Sequence, residues 1–282
     1  MKGLILVFSL LSLVGGKMHA QKAYTYVRQD GKDLTQLGTA AFDVSANPQV
    51  QFVDGKAVMT IDGTSVASLP MSDGGELVVS FTTDVAEADL NKVTKSPTEQ
   101  RPYATIYSPF QLVVPTGSEV YAPVFDQDNK LLHLAGGQLV AGGDIVPVET
   151  PLVIHGSSPV DFTFSATAPN CNLTSNLSGS SLKIATPTDA TIYTFGIGTD
   201  EQHQGVFGLF RYTGKSLNPG FCYLQVEKEQ GNFLALSFDP YLTGVKDVEA
   251  SATQTVTKRV ENGRIVIVKA GKKYNTNGQN IK

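Results

Sequence analysis

Apolar residues in this chain recur at every second position and almost nowhere at every third or fourth, and Asp-Gly steps punctuate the runs. A period of two places side chains alternately on the two faces of an extended strand, so the pattern predicts strands and argues against amphipathic helices. YTYVR (24–28), VQFVD (50–54), KAVMTI (56–61) and ELVVSF (76–81) read as strands separated by DGK, DG and SDGG turns. An Asp-Gly pair supplies the positive-φ positions that a tight hairpin turn needs. Residues 21–83 are therefore expected to form a small N-terminal β-module.

Residues 84–102, DVAEADLNKVTKSPTEQRP, are polar and charged with two late prolines, and read as a linker. From 103 to 240 strand-like runs return: YATIY (103–107), FQLVV (110–114), VYAPVF (120–125), KLLHL (130–134), GQLV (137–140), PLVIH (151–155) and VDFTF (160–164). ATIYTFGIG (190–198), GVFGLFRY (205–212), GFCYLQV (220–226) and NFLALSF (232–238) follow. Short strands at regular spacing with turn signals between them predict a larger antiparallel β-sandwich. Pro109, Pro115, Pro123 and Pro147 lie in or beside these runs. Proline is confined to strand edges, starts and bulges, so they argue for short irregular strands and against a smooth barrel.

Residues 241–256 lack apolar periodicity and read as a second linker. Within the tail, 257–282, the run RIVIVKAGKKYNTNGQNI (264–281) alternates once more, with Ile265 and Ile267 on one face and Val266 and Val268 on the other. Ala270-Gly271-Lys272 offers a turn and Tyr274 starts the return, a short C-terminal β-hairpin tail. The expected fold is all-β: N-terminal module, sandwich, tail.

Residues 1–20 combine Lys2, an apolar run and a terminal Ala20, the pattern of a cleaved secretory leader. The run is shorter than the roughly 20 apolar residues a transmembrane helix needs, so no stable membrane span is expected. Cleavage removes Lys2 and Lys17 and takes the formal charge from −4 to −6. Basic residues are scattered, which argues against a nucleic-acid partner. Charged residues make up only 17% of the chain and Trp is absent, in keeping with a turn-rich secreted β protein. Cys171 and Cys222 are the two cysteines. Outside the cytoplasm they are a candidate disulfide, which would stabilise by about 4 kcal/mol through loop closure. Cys222, within FCYLQV, reads equally well as a small buried hydrophobe.

Three segments resemble a class of secreted and cell-surface proteins of Bacteroidota. In that class a YxTxYxP strand leads to a P-x-G-x-x-x-Y strand, then to an IPxxTPVLL(K)G strand and a late GFYxxxGxxLxxxxAYL pair. Tyr103, Thr105, Tyr107, Pro109, Pro115, Gly117, Tyr121, Pro147, Pro151, Gly156, Gly208, Gly214, Tyr223 and Leu224 stand at matching places. Cys222 departs from the pattern, where a small residue is usual. FDVSANPQVQFVDGKAVMTIDG matches a second module of such proteins, and NGRIVIVKAGKKYNTNGQNIK resembles the tails read by the type IX secretion machinery. The resemblance covers most of the mature chain. It implies delivery outside the cell or to the outer-membrane surface, with the secretion machinery as a partner through the tail. If the tail is not a sorting signal, the periplasm is the expected location. It specifies no activity, because one fold hosts many functions.

Candidate chemistry is sparse. His133, His155 and His203 belong to no HExxH or Cys-His pattern, and His133 and His155 sit among apolar strand residues. His203, beside Asp200 and Glu201, reads first as part of a solvated acidic loop. HGSSP (155–159) places Ser157 and Ser158 near a histidine, but a triad must be assembled by the fold rather than by sequence neighbours. Asp126 and Asp128 in FDQDNK are a weak candidate for Ca²⁺; the glycine and glutamate of a full calcium loop are missing, and an Asp/Asn turn explains the segment better. No cofactor is expected. Tyrosines gather near strand ends, and Tyr103, Tyr107 and Tyr121 are the candidate ligand-binding residues, with core packing the competing reading. These features point to a non-catalytic binding or adhesion protein whose ligand is a glycan or a host protein. The alternatives are a secreted hydrolase acting on glycan or peptide, and a structural subunit of a surface assembly.

Overall fold

A computed structural model describes residues 22–80, 91–227 and 230–237, together with the backbone of four strands between Thr257 and Ile281. The expected leader, 1–20, lies outside the described residues, as do 84–90 of the first linker stretch and all of the second, 241–256. The chain divides into a large unit, Met1–Tyr241, and a small one, Leu242–Lys282. Both are built of strands; among the described residues the helical content is two 3-10 turns, Thr35–Leu37 and Val44–Ala46.

Each Asp-Gly step does the work its composition predicts. Asp30-Gly31, Asp54-Gly55, Asp62-Gly63 and Asp73-Gly74 all carry positive φ at both residues, between 49° and 77°. Three of them close two-residue hairpins, with Gln29 opposite Lys32, Val53 opposite Lys56 and Ile61 opposite Thr64. The hairpins build two sheets. In one, Lys22–Gln29 is flanked by Ala40–Asp43 and Lys32–Asp33 on one edge and by Gly75–Ser80 on the other. The other runs Gln49–Val53, Lys56–Ile61, Thr64–Pro70.

The largest sheet has nine strands. Its order is Leu177–Gly179, Cys222–Val226, Thr191–Ile197, Phe207–Arg211, Phe233–Ser237, Leu131–Val140, Glu119–Asp126, Leu152–His155, Tyr103–Ile106. The two runs KLLHL and GQLV form one continuous strand, Leu131–Val140. Its pairing with Phe233–Ser237 is parallel, an exception to the expected antiparallel arrangement. Pro123 sits where the register slips between Ala122 and Val124, a bulge that tolerates a missing donor. The sheet curls until its last strand returns to its second. Tyr107 N–H donates to Gly220 O at 3.1 Å, and Cys222 N–H donates to Thr105 Oγ1 at 3.1 Å.

Curling creates two cores that share strands. Ile106, Val120, Ala122, Leu152 and Ile154 face a first core with Val27, Met59, Leu69, Phe110 and Phe162. Their neighbours Tyr121 and Val153, with the half-buried Tyr103 and Tyr107, face a second core inside the curl with Leu132, Tyr193, Leu209, Cys222 and Leu224. Strands covered on both faces become near-continuous apolar runs, as YATIY and LVI are.

This sharing corrects the expected boundary at 84–102. Within that stretch Lys92–Lys95 is a strand pairing with Val160–Phe164, and Val93 is buried in the first core. The N-terminal module and the larger block are one packed unit. Gln29 ties them again: its Nε2 donates to Lys183 O at 2.9 Å and its Oε1 accepts from Lys183 N–H at 2.9 Å. The tail is more than a hairpin. Thr257–Glu261, Arg264–Lys269, Lys272–Tyr274 and Asn280–Ile281 form a four-stranded antiparallel sheet, and Thr257–Glu261 lies in residues that show little periodicity.

Two outcomes follow from this organisation. Phe162→Ala, at a fully buried position of the shared core, should lower stability by about 3–5 kcal/mol. In urea the large unit should still unfold in one cooperative transition; two separate transitions, with only the later one moved, would break the single-unit description. A chain truncated before Thr257 should keep the far-UV spectrum and melting temperature of the large unit, since the tail pairs its strands only among themselves within the described residues.

Candidate functional site

The three candidate tyrosines do not share one environment. Tyr107 is a packing residue. It is half-buried against the inner core, and a methyl group added at Gly179 would collide with its ring. Burial raises its phenol pKa, with Glu149 adding to the shift. Tyr103 and Tyr121 come together instead at one end of the curled sheet, on the face that lines the inner core.

Register explains what surrounds them. Tyr103 lies opposite His155, and His155 lies opposite Glu119, so three adjacent strands carry one cross-strand row. The Tyr103 and His155 rings are tilted with centroids 4.8 Å apart. On its other side Tyr103 stacks on Phe207 at 4.5 Å, and Phe207 stacks on Phe195 at 6.1 Å. Phe195 and Phe207 come from the strands across the curl, so the row His155–Tyr103–Phe207–Phe195 spans its opening.

One carboxylate anchors this aromatic row. Glu119 Oε2 is 2.6 Å from His155 Nδ1, which donates to it in the tautomer or protonated form that carries a proton there. Tyr121 O–H donates to the same oxygen at a longer 3.3 Å. The hydrogen bond from His155 holds the Glu119 carboxyl below the usual carboxylate range. The pair is therefore made at neutral pH and is lost as pH falls through that lowered pKa. Burial pushes the Tyr103 phenol up to about 12, with the Tyr121 and Glu119 charges adding to it. The Glu119 side chain is 57% exposed and that of His155 33%. The end of the curl thus presents a wet carboxylate and imidazole beside aromatic surface, the combination of apolar body and polar tip that binding sites use. Sequence reading picks out Tyr103 and Tyr121 and treats His155 as structural; Glu119, Phe195 and Phe207 carry no signal of their own because only the sheet register unites them.

The remaining candidates resolve into local structure. Asp126 Oδ1 accepts from the backbone N–H groups of Asp128 and Asn129, both at 3.0 Å, and Oδ2 accepts from Asn129 Nδ2 at 2.8 Å. This is an Asx turn joining two strands, and Asp128 stands exposed at its apex. Among the described residues no three His, Cys, Asp or Glu side chains converge as metal ligands. Asp200 likewise organises its own turn, accepting from Gln202 and His203 N–H at 3.0 and 2.8 Å. The His203 ring packs on Phe233 at 4.3 Å.

Cys171 and Cys222 are both free thiols, which corrects the candidate disulfide. They belong to different cores: Cys171 packs at the border of the first and Cys222 is buried in the second. The Cys222 thiol donates to Ile106 O at 3.2 Å and the Cys171 thiol to Ile145 O at 3.2 Å. Burial pushes Cys222 up to about 12 and also raises Cys171. Unfolded protein should therefore titrate both thiols with Ellman's reagent, while in the native state Cys222 stays unreacted. An intact mass short by two hydrogens would show a bridge and overturn this assignment.

The chain matches no protein-family model, no curated protein and no solved structure. Its function is accordingly argued from the site.

Proposed function

We propose that the protein is a non-catalytic binding or adhesion protein, delivered to the cell surface or the medium, and that the open end of the curled sheet binds a glycan. The observation that carries the reading is the exposed Glu119–His155 pair set into the aromatic row of Tyr103 and Phe207. Aromatic faces and edges suit the apolar C–H surface of a sugar ring, and a carboxylate with an imidazole suits its hydroxyl groups. The strands holding these groups are fixed by two cores, so the site is pre-formed and little ordering opposes binding. The leader-like first twenty residues and the tail resembling type IX sorting segments support an extracellular location. No helix of the described residues is long and apolar enough to cross a membrane.

The test is a glycan array probed with the mature protein, followed by titration of the best ligand. Glu119→Gln and Tyr103→Ala should each weaken binding by about tenfold or more, the loss expected for one charged hydrogen bond or one aromatic contact, with the melting temperature nearly unchanged for Glu119→Gln. Binding should also weaken as pH falls through the lowered Glu119 pKa. An array with no hit, or variants that bind as the parent does, would remove the glycan reading and turn the search to protein ligands. Fractionating native cells that express the chain without residues 257–282 tests delivery: retention inside the envelope supports the tail as an address, and normal export rejects it.

A further inference from the structure

A cavity lies on the N-terminal sheet, built from strands that take no part in the site above. Its volume is about 240 Å³. Tyr24, Tyr26 and Arg28 project from one face of Lys22–Gln29, and Asp33, Leu34 and Thr35 form the wall after the Asp30-Gly31 turn. Arg28 is held in place three ways. Its Nε donates to Asp33 Oδ1 at 2.7 Å, its Nη2 donates to the Tyr26 hydroxyl oxygen at 3.2 Å, and its guanidinium carbon lies 5.7 Å from the Tyr26 ring centroid. The hydrogen bond to Asp33 raises the Arg28 pKa further, so the cation is permanent.

We infer that this cavity binds a single neutral sugar ring, a pyranose unit of a larger glycan. Size is the first argument. Pockets for drug-sized ligands start at about 300 Å³, so this one suits one ring rather than an extended molecule. Charge is the second. Arg28 and Asp33 cancel, so the lining carries no net charge, and Glu76 stands opposite Arg28 in the ladder. An anionic ligand would have to displace Asp33 from Arg28 and then face Glu76. A purely apolar ligand would strip water from the ion pair without replacing its hydrogen bonds. Donor and acceptor geometry is the third. A guanidinium fork beside a carboxylate places N–H donors and a lone-pair acceptor within one hydroxyl spacing, and vicinal hydroxyls each donate and accept. Thr35 and Thr39 add hydroxyl groups, and Leu34 with Tyr24 supplies apolar surface for the C–H face.

The inference stands apart from the Glu119 site, and the test keeps them apart. Saturation-transfer NMR on the mature protein uses methyl glucoside, methyl mannoside and methyl galactoside as neutral probes and methyl glucuronide as the acidic one. The expected result is saturable transfer to at least one neutral probe and none to the glucuronide. Arg28→Ala should weaken the neutral probe by about tenfold, the effect of losing one charged donor. Asp33→Asn, a change at an exposed position that leaves the turn intact, should weaken it too and let the glucuronide bind, because it frees the Arg28 charge. Tyr103→Ala should change nothing here. No transfer to any neutral probe overturns the inference, as does binding that survives both Arg28→Ala and Asp33→Asn. Binding lost in Tyr103→Ala but kept in Arg28→Ala places the sugar at the other site, overturning this inference while leaving the first reading standing.

Discussion

The structure depends on three strands that are covered on both faces. Tyr103–Ile106, Glu119–Asp126 and Leu152–His155 send alternate side chains into separate cores, one shared with the N-terminal sheets and one inside the curl. Neither core closes without them. Their burial fixes the register by which Tyr103, His155 and Glu119 become neighbours, because a slip of one residue would exchange every side chain between the two cores. The candidate site is thus a by-product of packing: it appears where the inward row of these strands reaches the rim and meets water.

Much of the fold is legible in the sequence, and the reason is local. Period-two alternation and Asp-Gly turns are properties of neighbouring residues, so the hairpins between Gln49 and Pro70 can be read directly. The strand Lys92–Lys95 cannot, because a single inward residue, Val93, sets it and polar residues surround it. Thr257–Glu261, TKRVE, escapes because it holds a single apolar residue among polar ones. The boundary drawn through 84–102 fails because polarity marks exposure of a segment and not independence of what flanks it. Gln29 and Lys183 are 154 residues apart and make two hydrogen bonds.

The site was half legible. Tyrosines at strand ends are a compositional signal, and two of the three chosen ones meet at the rim. Glu119 and His155 are 36 residues apart and become partners only through the order of strands in the sheet. The cysteines illustrate the converse. Two thiols in a chain whose first twenty residues read as a leader invite a bridge, yet alternation in FCYLQV turns Cys222 into the inner core while Cys171 borders the outer one. Which face a residue takes decides its chemistry before its partner does.

The parallel pairing of Leu131–Val140 with Phe233–Ser237 has a kinetic consequence. Leu131 meets Ala235 across about a hundred residues, and the curl closes only when Gly220 and Cys222 reach the first strand of the block. Closing such long loops is entropically slow, and no short-range contact substitutes for it. The sheet that holds the site is completed only after nearly the whole large unit is available. A chain with this topology remains open until late, because its last strands are needed before the curl can close.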